Sequence, residues 1–295
     1  MFYGCKSLKT LNLFSKAQEL STIYKMFYGC KSLISLDLFG FDTSKIKDMA
    51  FLFYNCHSLI SLNLSSFNTV SVTNMNSMFK NCHSLKSLNI SNFKTPNVEK
   101  IDSCNSLEIL DLSNFDISKV VSMKKMFYNC SSLISIDLSS FNTTSVINMA
   151  QLFDSCTSIQ YLNLSNFKTS SVNNMLKMFN NCKSLLSLDI SNFHLIINLF
   201  IDDMFNGVSY LNYTNMFNLY AEKTILFNLF SQIPGNSSIC INEQKVNMFE
   251  IISNLKKCII FDCSGDFNTT QKKMLENDNC INGCNLIENK YKYKG

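Results

Sequence analysis

Thirteen cysteines and three histidines are the chain's main supply of nucleophiles and metal ligands. Eight of the cysteines, Cys5, Cys30, Cys56, Cys82, Cys104, Cys130, Cys156 and Cys182, fall at one position of a repeat. A disulfide pairs two turns, whereas a core slot recurs in every turn, so this recurrence beside Met-Phe predicts small buried residues. Val208 takes the slot in a ninth copy, which suits an apolar role. The other five, Cys240, Cys258, Cys263, Cys280 and Cys284, lie in the tail. Their spacings match zinc sites only loosely, and disulfides of an extracellular tail are the expectation.

His57 and His83 each follow a repeat cysteine, but Lys31, Ser131, Thr157 and Lys183 occupy the same slot elsewhere. The Cys-His adjacency is therefore an echo of the repeat, and a catalytic dyad is a relation in space. His194 has no obvious partner. There is no phosphate-cradling glycine loop, paired-histidine metal motif or Gly-x-Ser-x-Gly, and only eight glycines in all. The expectation is a non-enzyme without cofactor or metal. The net charge of +4 is carried entirely by lysine, with no arginine. Since phosphate and guanine recognition rely mostly on arginine, nucleic acid is not an expected partner. No stretch reaches the ~18 apolar residues of a membrane span, so a membrane would be reached only through an anchor outside this chain.

The elements that carry these residues come from an internal repeat. The phrase Leu59-Ile60-Ser61-Leu62-Asn63-Leu64-Ser65-Ser66-Phe67 recurs from Leu8, Leu33, Leu85, Leu107, Leu133, Ile159, Leu185 and, degraded, Leu211. The spacings are 25, 26, 26, 22, 26, 26, 26 and 26 residues, so one interval is short, just before Cys104. Leu62 and Leu64 alternate with polar residues, which predicts a short strand. In the second half the apolar residues fall at 72, 75, 78, 79 and 82, offsets that predict a helix of about two turns, capped by Thr69 or Ser71 and ended by Asn81. Strand plus helix every 26 residues predicts an α/β fold, a leucine-rich-repeat solenoid. Parallel strands would line its concave side and short helices its convex side, because one unit cannot bury its leucines alone. The expected organisation is a solenoid of about nine repeats over 1–217, a strand-helix-strand cap over 218–263, and a polar, Cys-bearing tail over 264–295 that reads as a linker or the start of an extracellular module.

After the leucines each repeat carries Phe, as at Phe41, Phe67, Phe93, Phe115, Phe141, Phe167 and Phe193. Runs such as Asp42-Thr43-Ser44-Lys45-Ile46-Lys47-Asp48-Met49 and Met78-Phe79-Lys80-Asn81-Cys82-His83-Ser84-Leu85 follow in the better copies. This pattern resembles the BspA-type leucine-rich-repeat surface proteins over about residues 1–217. The resemblance implies display on the cell surface and a part in adhesion, and it implies no catalytic residues.

The residues flanking the strand leucines would face solvent. One row is Ser35, Ser61, Ser87, Ile109, Ser135, Tyr161 and Ser187; beside it run Asp37, Asn63, Asn89, Asp111, Asp137, Asn163 and Asp189, with Gln160 in a third row. Such ladders also stack well without binding anything, so both readings stand. Tyr161 and Gln160 interrupt the Ser/Ile monotony and are the predicted contact centre. The expected partner is a protein or glycan. The expected function is adhesion or ligand recognition at the cell surface or outside the cell. An intracellular scaffold for protein partners is the alternative, and a structural coat a third. Eight Asn-x-Ser/Thr triplets, including Asn63, Asn89 and Asn163 in strands, become glycan sites only in a secreted eukaryotic protein.

Overall fold

A computed structural model describes residues 1–13, 20–94, 109–110, 112, 115–196, 198–235 and 237–242, and the backbone of 258–260. The chain winds as a parallel-strand β-solenoid of about 8 turns. The Leu-x-Leu phrases form β1 (Thr10–Asn12), β2 (Ser35–Asp37), β3 (Ser61–Asn63), β4 (Ser87–Asn89), β5 (Ile109–Leu110), β6 (Tyr161–Asn163) and β7 (Ser187–Asp189). The same face continues through β9 (Tyr213–Asn215), β11 (Ser238–Cys240) and β12 (Cys258–Ile260), while β8 (His194–Leu195) pairs with β10 (Tyr220–Ala221) elsewhere on the coil. Pairing is parallel and in register, so like stacks on like: Ser61 on Ser87, Leu62 on Leu88, Asn63 on Asn89. Alternation turns the leucine inward and its two neighbours outward.

The second half of the repeat is a ladder of tight turns, which corrects the expected convex helices. Lys125, Phe127 and Asn129 donate their backbone N–H groups one coil onward, to the carbonyls of Ala150, Leu152 and Asp154 at 3.0, 3.0 and 2.7 Å. Within the coil the bonds span three residues, Met126 to Met123 and Cys130 to Phe127. Lys125 and Asn129 sit at φ 63° and 60°, and Gln151 and Ser155 repeat the pair at 56° and 66°. A left-handed residue every fourth position breaks the α-helix, yet still turns a side chain inward at offsets of three and four. The apolar spacing was therefore legible, but its meaning was a turn ladder. The described residues hold one α-helix, α1 (Lys223–Gln232), which buries Leu226, Leu229 and Phe230. No helix among them is long and apolar enough to cross a membrane.

Each coil adds one ring to stacked columns. Phe127, Phe153, Phe179 and Phe205 stack at centroid distances of 5.3, 5.9 and 5.4 Å. Phe41, Phe67, Phe93 and Phe115 form a second column. Between columns, buried Thr hydroxyls substitute for backbone pairing: Thr69 donates to Lys94 O at 2.7 Å and accepts from Lys94 N–H at 2.8 Å. Thr43, Thr143 and Thr169 do the same. A small apolar void of about 30 Å³ lined by Met75, Phe79, Leu110 and Phe127 lies among these columns. The tail strands anticipated near Ile239 and Cys258 are present as β11 and β12, paired in parallel. The helix anticipated between Glu243 and Lys257, and the 264–295 tail, lie outside the described residues.

Candidate functional site

The cysteine column is structural. Cys30, Cys56, Cys82, Cys156 and Cys182 each donate the thiol hydrogen to a phenylalanine carbonyl of the preceding coil, at 3.0 to 3.2 Å. Burial pushes the Cys56 thiol up to about 12, and holds Cys156 and Cys182 well above the ordinary range, so the protonated donor persists. None of these thiols is in a disulfide, and neither is Cys5 in the first coil, which is exposed. Cys240 of the tail is disulfide-bonded. Cys104 lies outside the described residues.

The histidines form no dyad with cysteine. The rings of His57 and His83 lie tilted against each other at 5.3 Å, and burial, then His83 and Lys31, lower the pKa of His57. His194 lies against Tyr220 at 4.3 Å. The buried Asp154 carboxylate accepts from Gln151, Ser155 and Asn180 at 2.8 to 2.9 Å, which accounts for its burial. Among the described residues no three His, Cys, Asp or Glu side chains converge.

The strand face offers a different chemistry. Ser35, Asp37, Ser61, Asn63, Ser87 and Asn89 are exposed on β2, β3 and β4. Ser135 and Asp137 are exposed too, although their coil is not a regular strand there. Gln160 and Asn163 are exposed and Tyr161 is half-buried. Ile109 lies on β5, and Asp111 lies outside the described residues. Ser187 and Asp189, placed by the sequence on the solvent face, are buried at 3% and 4% exposure. Tyr213 beside them is buried as well, and that burial, then the Asp189 charge, pushes its hydroxyl up to about 12.

The Asn/Asp row has a local task that sequence reading left open. Asp37, Asn63, Asn89, Asp137, Asn163 and Asp189 each accept the N–H two residues on, at 2.8 to 3.1 Å, closing the strand with a side-chain turn. One oxygen per residue is thereby occupied. At Asp37, Asn63, Asn89 and Asn163 what remains outward is the second carboxylate oxygen or the amide NH₂, beside the serine hydroxyls, whereas the second oxygen of buried Asp189 accepts from the Asn215 amide at 2.8 Å. Between β2 and β3 these groups line an open groove of about 440 Å³ bounded by Ser35, Asp37, Phe39, Ser61, Asn63 and Ser65. Phe39 is 76% exposed. The sequence reading missed it, although Phe39 stands where Ser65, Ser139 and Ser165 stand in other repeats.

No curated protein and no solved structure matches the chain. One family model does, that of Mycoplasma proteins of unknown function, DUF285, over residues 21–106 and 101–218. Those two matches take in most of the coils whose columns are described above, and the chain belongs to the DUF285 family.

Proposed function

We propose that the chain is a non-catalytic recognition module, displayed outside the cell, that holds a macromolecular ligand on its strand face. The observation that carries this is the outward row of polar groups on consecutive coils, Ser35 to Asn89 and again Ser135 to Asn163, with side-chain valences left over after the turns are closed at Asp37, Asn63 and Asn89. Repetition at a fixed step lets many weak contacts act together on an extended ligand. The BspA-type leucine-rich-repeat resemblance and its adhesive role agree with this reading, as does a capping role for the strands and helix beyond residue 217. The disulfide at Cys240 favours an oxidising compartment. A second reading, an intracellular scaffold for protein partners, draws on the repeat cysteines outside any disulfide, which suit a reducing cytosol.

Labelling intact source cells with an impermeant amine-reactive reagent separates the two. Modification without lysis is the expected result. Retention of cell-surface or matrix ligands by the purified chain, weakened by Tyr161→Ala and Gln160→Ala, would follow. Protection until lysis would overturn display and move the scaffold first.

A further inference from the structure

Three departures from the repeat coincide at one point of the strand face. First, β2 and β3 belong to separate sheets. Leu13, Leu64 and Leu164 close the ladder by donating to Asp37, Asn89 and Asp189 carbonyls at 3.0, 2.9 and 2.9 Å, whereas the Leu38 N–H makes no such bond to Asn63. Second, Phe39 stands where Ser65, Ser91, Ser139, Ser165 and Ser191 stand in other coils, a change shared in sequence with Phe14 and Phe217, and it projects into solvent at 76% exposure, whereas Phe217 is only partly exposed. Third, Gly40 adopts φ +80°, a left-handed turn that its counterparts Ser66 and Ser140 do not make, so the chain is re-aimed just beyond the ring.

The polar lining is also less self-satisfied than elsewhere. Ser91 and Ser165 tie their hydroxyls to their own Asn89 and Asn163 at 2.8 and 2.7 Å. The Ser65 hydroxyl has no such bond, and Ser35, Ser61, the second Asp37 oxygen and the Asn63 NH₂ are likewise without hydrogen-bond partners in the protein. An exposed aromatic face beside hydroxyl, amide and carboxylate groups that can both donate and accept is matched by a ring with one C–H face and a rim of hydroxyls. The negative face of the phenyl ring attracts the C–H dipoles, and the rim satisfies the polar groups. No lysine lines the groove and Asp37 does, so an anionic ligand is repelled. An inserted peptide strand would have to part β2 from β3, which remain joined by Ile60 N–H to Ile34 O at 3.2 Å.

We propose that the β2–β3 groove is a subsite for a neutral sugar ring, stacked on Phe39 and hydrogen-bonded by Asp37, Ser61 and Asn63. This rests on the strand-face reading and names its ligand class. The test titrates the full chain with neutral hexose and N-acetylhexosamine oligosaccharides, and with a sulfated oligosaccharide for contrast, by calorimetry and amide NMR. Binding of a neutral probe is expected, with the Leu38 amide among the resonances that shift. Phe39→Ser installs the residue that Ser65 and Ser139 already place there, so its urea midpoint should be unchanged while affinity falls roughly tenfold or more. Asp37→Asn keeps the turn, as Asn63 does, and should weaken binding by several-fold. Absence of binding by every neutral probe, stronger binding of the sulfated one, or unchanged affinity in Phe39→Ser would overturn the proposal. If sugars fail while intact cells are labelled and ligand retention still depends on Tyr161, the sugar assignment falls and the recognition reading stands. Sugar binding without surface labelling would reverse that outcome.

Discussion

The tripeptide Ser-Leu-Asp occurs on the strand face in β2 and again in β7, and the two copies live in different surroundings. In β2 it is exposed, buried, exposed; in β7 all three residues are buried. Both leucines point into the same core and both aspartates close the strand by accepting the N–H two residues on, at 2.9 and 2.8 Å. The difference lies outside the tripeptide. Asp189 also receives the Asn215 amide at 2.8 Å and is flanked by buried Tyr213, whereas Asp37 is flanked by the open groove and Phe39. Identical local sequence therefore sets the turn and the inward leucine. Neighbouring coils decide whether the outward groups meet solvent or protein.

The largest effect should come from the part the copies share. Leu188→Ala and Leu36→Ala each remove a core side chain, at a cost of about 2–5 kcal/mol. Leu188 is fully buried and Leu36 keeps 8% exposure, so Leu188→Ala belongs at the upper end. Urea unfolding of both variants measures this, and equal or reversed costs would break the comparison.

The aspartates should diverge next. Asp189→Ala leaves the buried Ser191 N–H and the half-buried Asn215 amide without their acceptor, which costs about 1–3 kcal/mol. Asp37→Ala loses one turn-closing acceptor that water can replace, a cost of about 0.5–1 kcal/mol. Similar midpoints for the two variants would mean that the burial around β7 contributes little.

How much of this was legible follows from the same contrast. The repeat phrase, the inward leucines and the cysteine slot depend on side-chain pattern, and each was readable. The turn ladder was misread because its inward residues share the helix's offsets. The discriminating signal was the residue before the cysteine slot, Gly4, Gly29, Asn55, Asn81, Asn129, Ser155, Asn181 and, before Val208, Gly207, all at positive φ and all but Ser155 glycine or asparagine. Glycine and asparagine tolerate that region, and their recurrence there marks a left-handed corner. The outward rows were legible as positions and their surroundings were not. Nothing in Ser187-Leu188-Asp189 announces burial, and the groove depends on a missing inter-strand bond at Leu38 that no composition reveals. Phe39-Gly40 was a visible departure from the Ser-Ser and Ser-Asn of most of its counterparts.

High pH offers a further separation. Tyr213 titrates at about 12 against an ordinary 10, its neutral form being favoured by burial and by Asp189. A raised folded value means the stabilisation is complete below pH 10 and is lost as pH climbs towards 12. Cys56, pushed from 9 to about 12, loses its contribution over pH 9 to 12. Tyr213→Phe should therefore leave the pH 9 to 10 decline intact and make the decline above it shallower, the Cys56 part remaining. Unfolding free energy measured across that range, with tyrosinate absorbance as a second readout, checks the order. A Tyr213→Phe profile that parallels the parent above pH 10 would count against a buried, neutral tyrosine there.

The smallest effect is the most diagnostic, because its sign is opposite to habit. The Ser187 hydroxyl is buried and has no hydrogen-bond partner, so it carries a desolvation cost that the folded state does not recover. Ser187→Ala removes that cost along with one oxygen's worth of packing, and should be neutral or stabilising by up to about 1 kcal/mol. The Ser35 hydroxyl is open to water in both folded and unfolded chains, so Ser35→Ala should leave the urea midpoint unchanged within about 0.5 kcal/mol. Two chemically identical changes, at equivalent positions in register-matched coils, thus differ only through what lies above them. A clear destabilisation by Ser187→Ala would mean that its hydroxyl has an acceptor in solution, and that the closed end of the strand face is wetter than its packing implies.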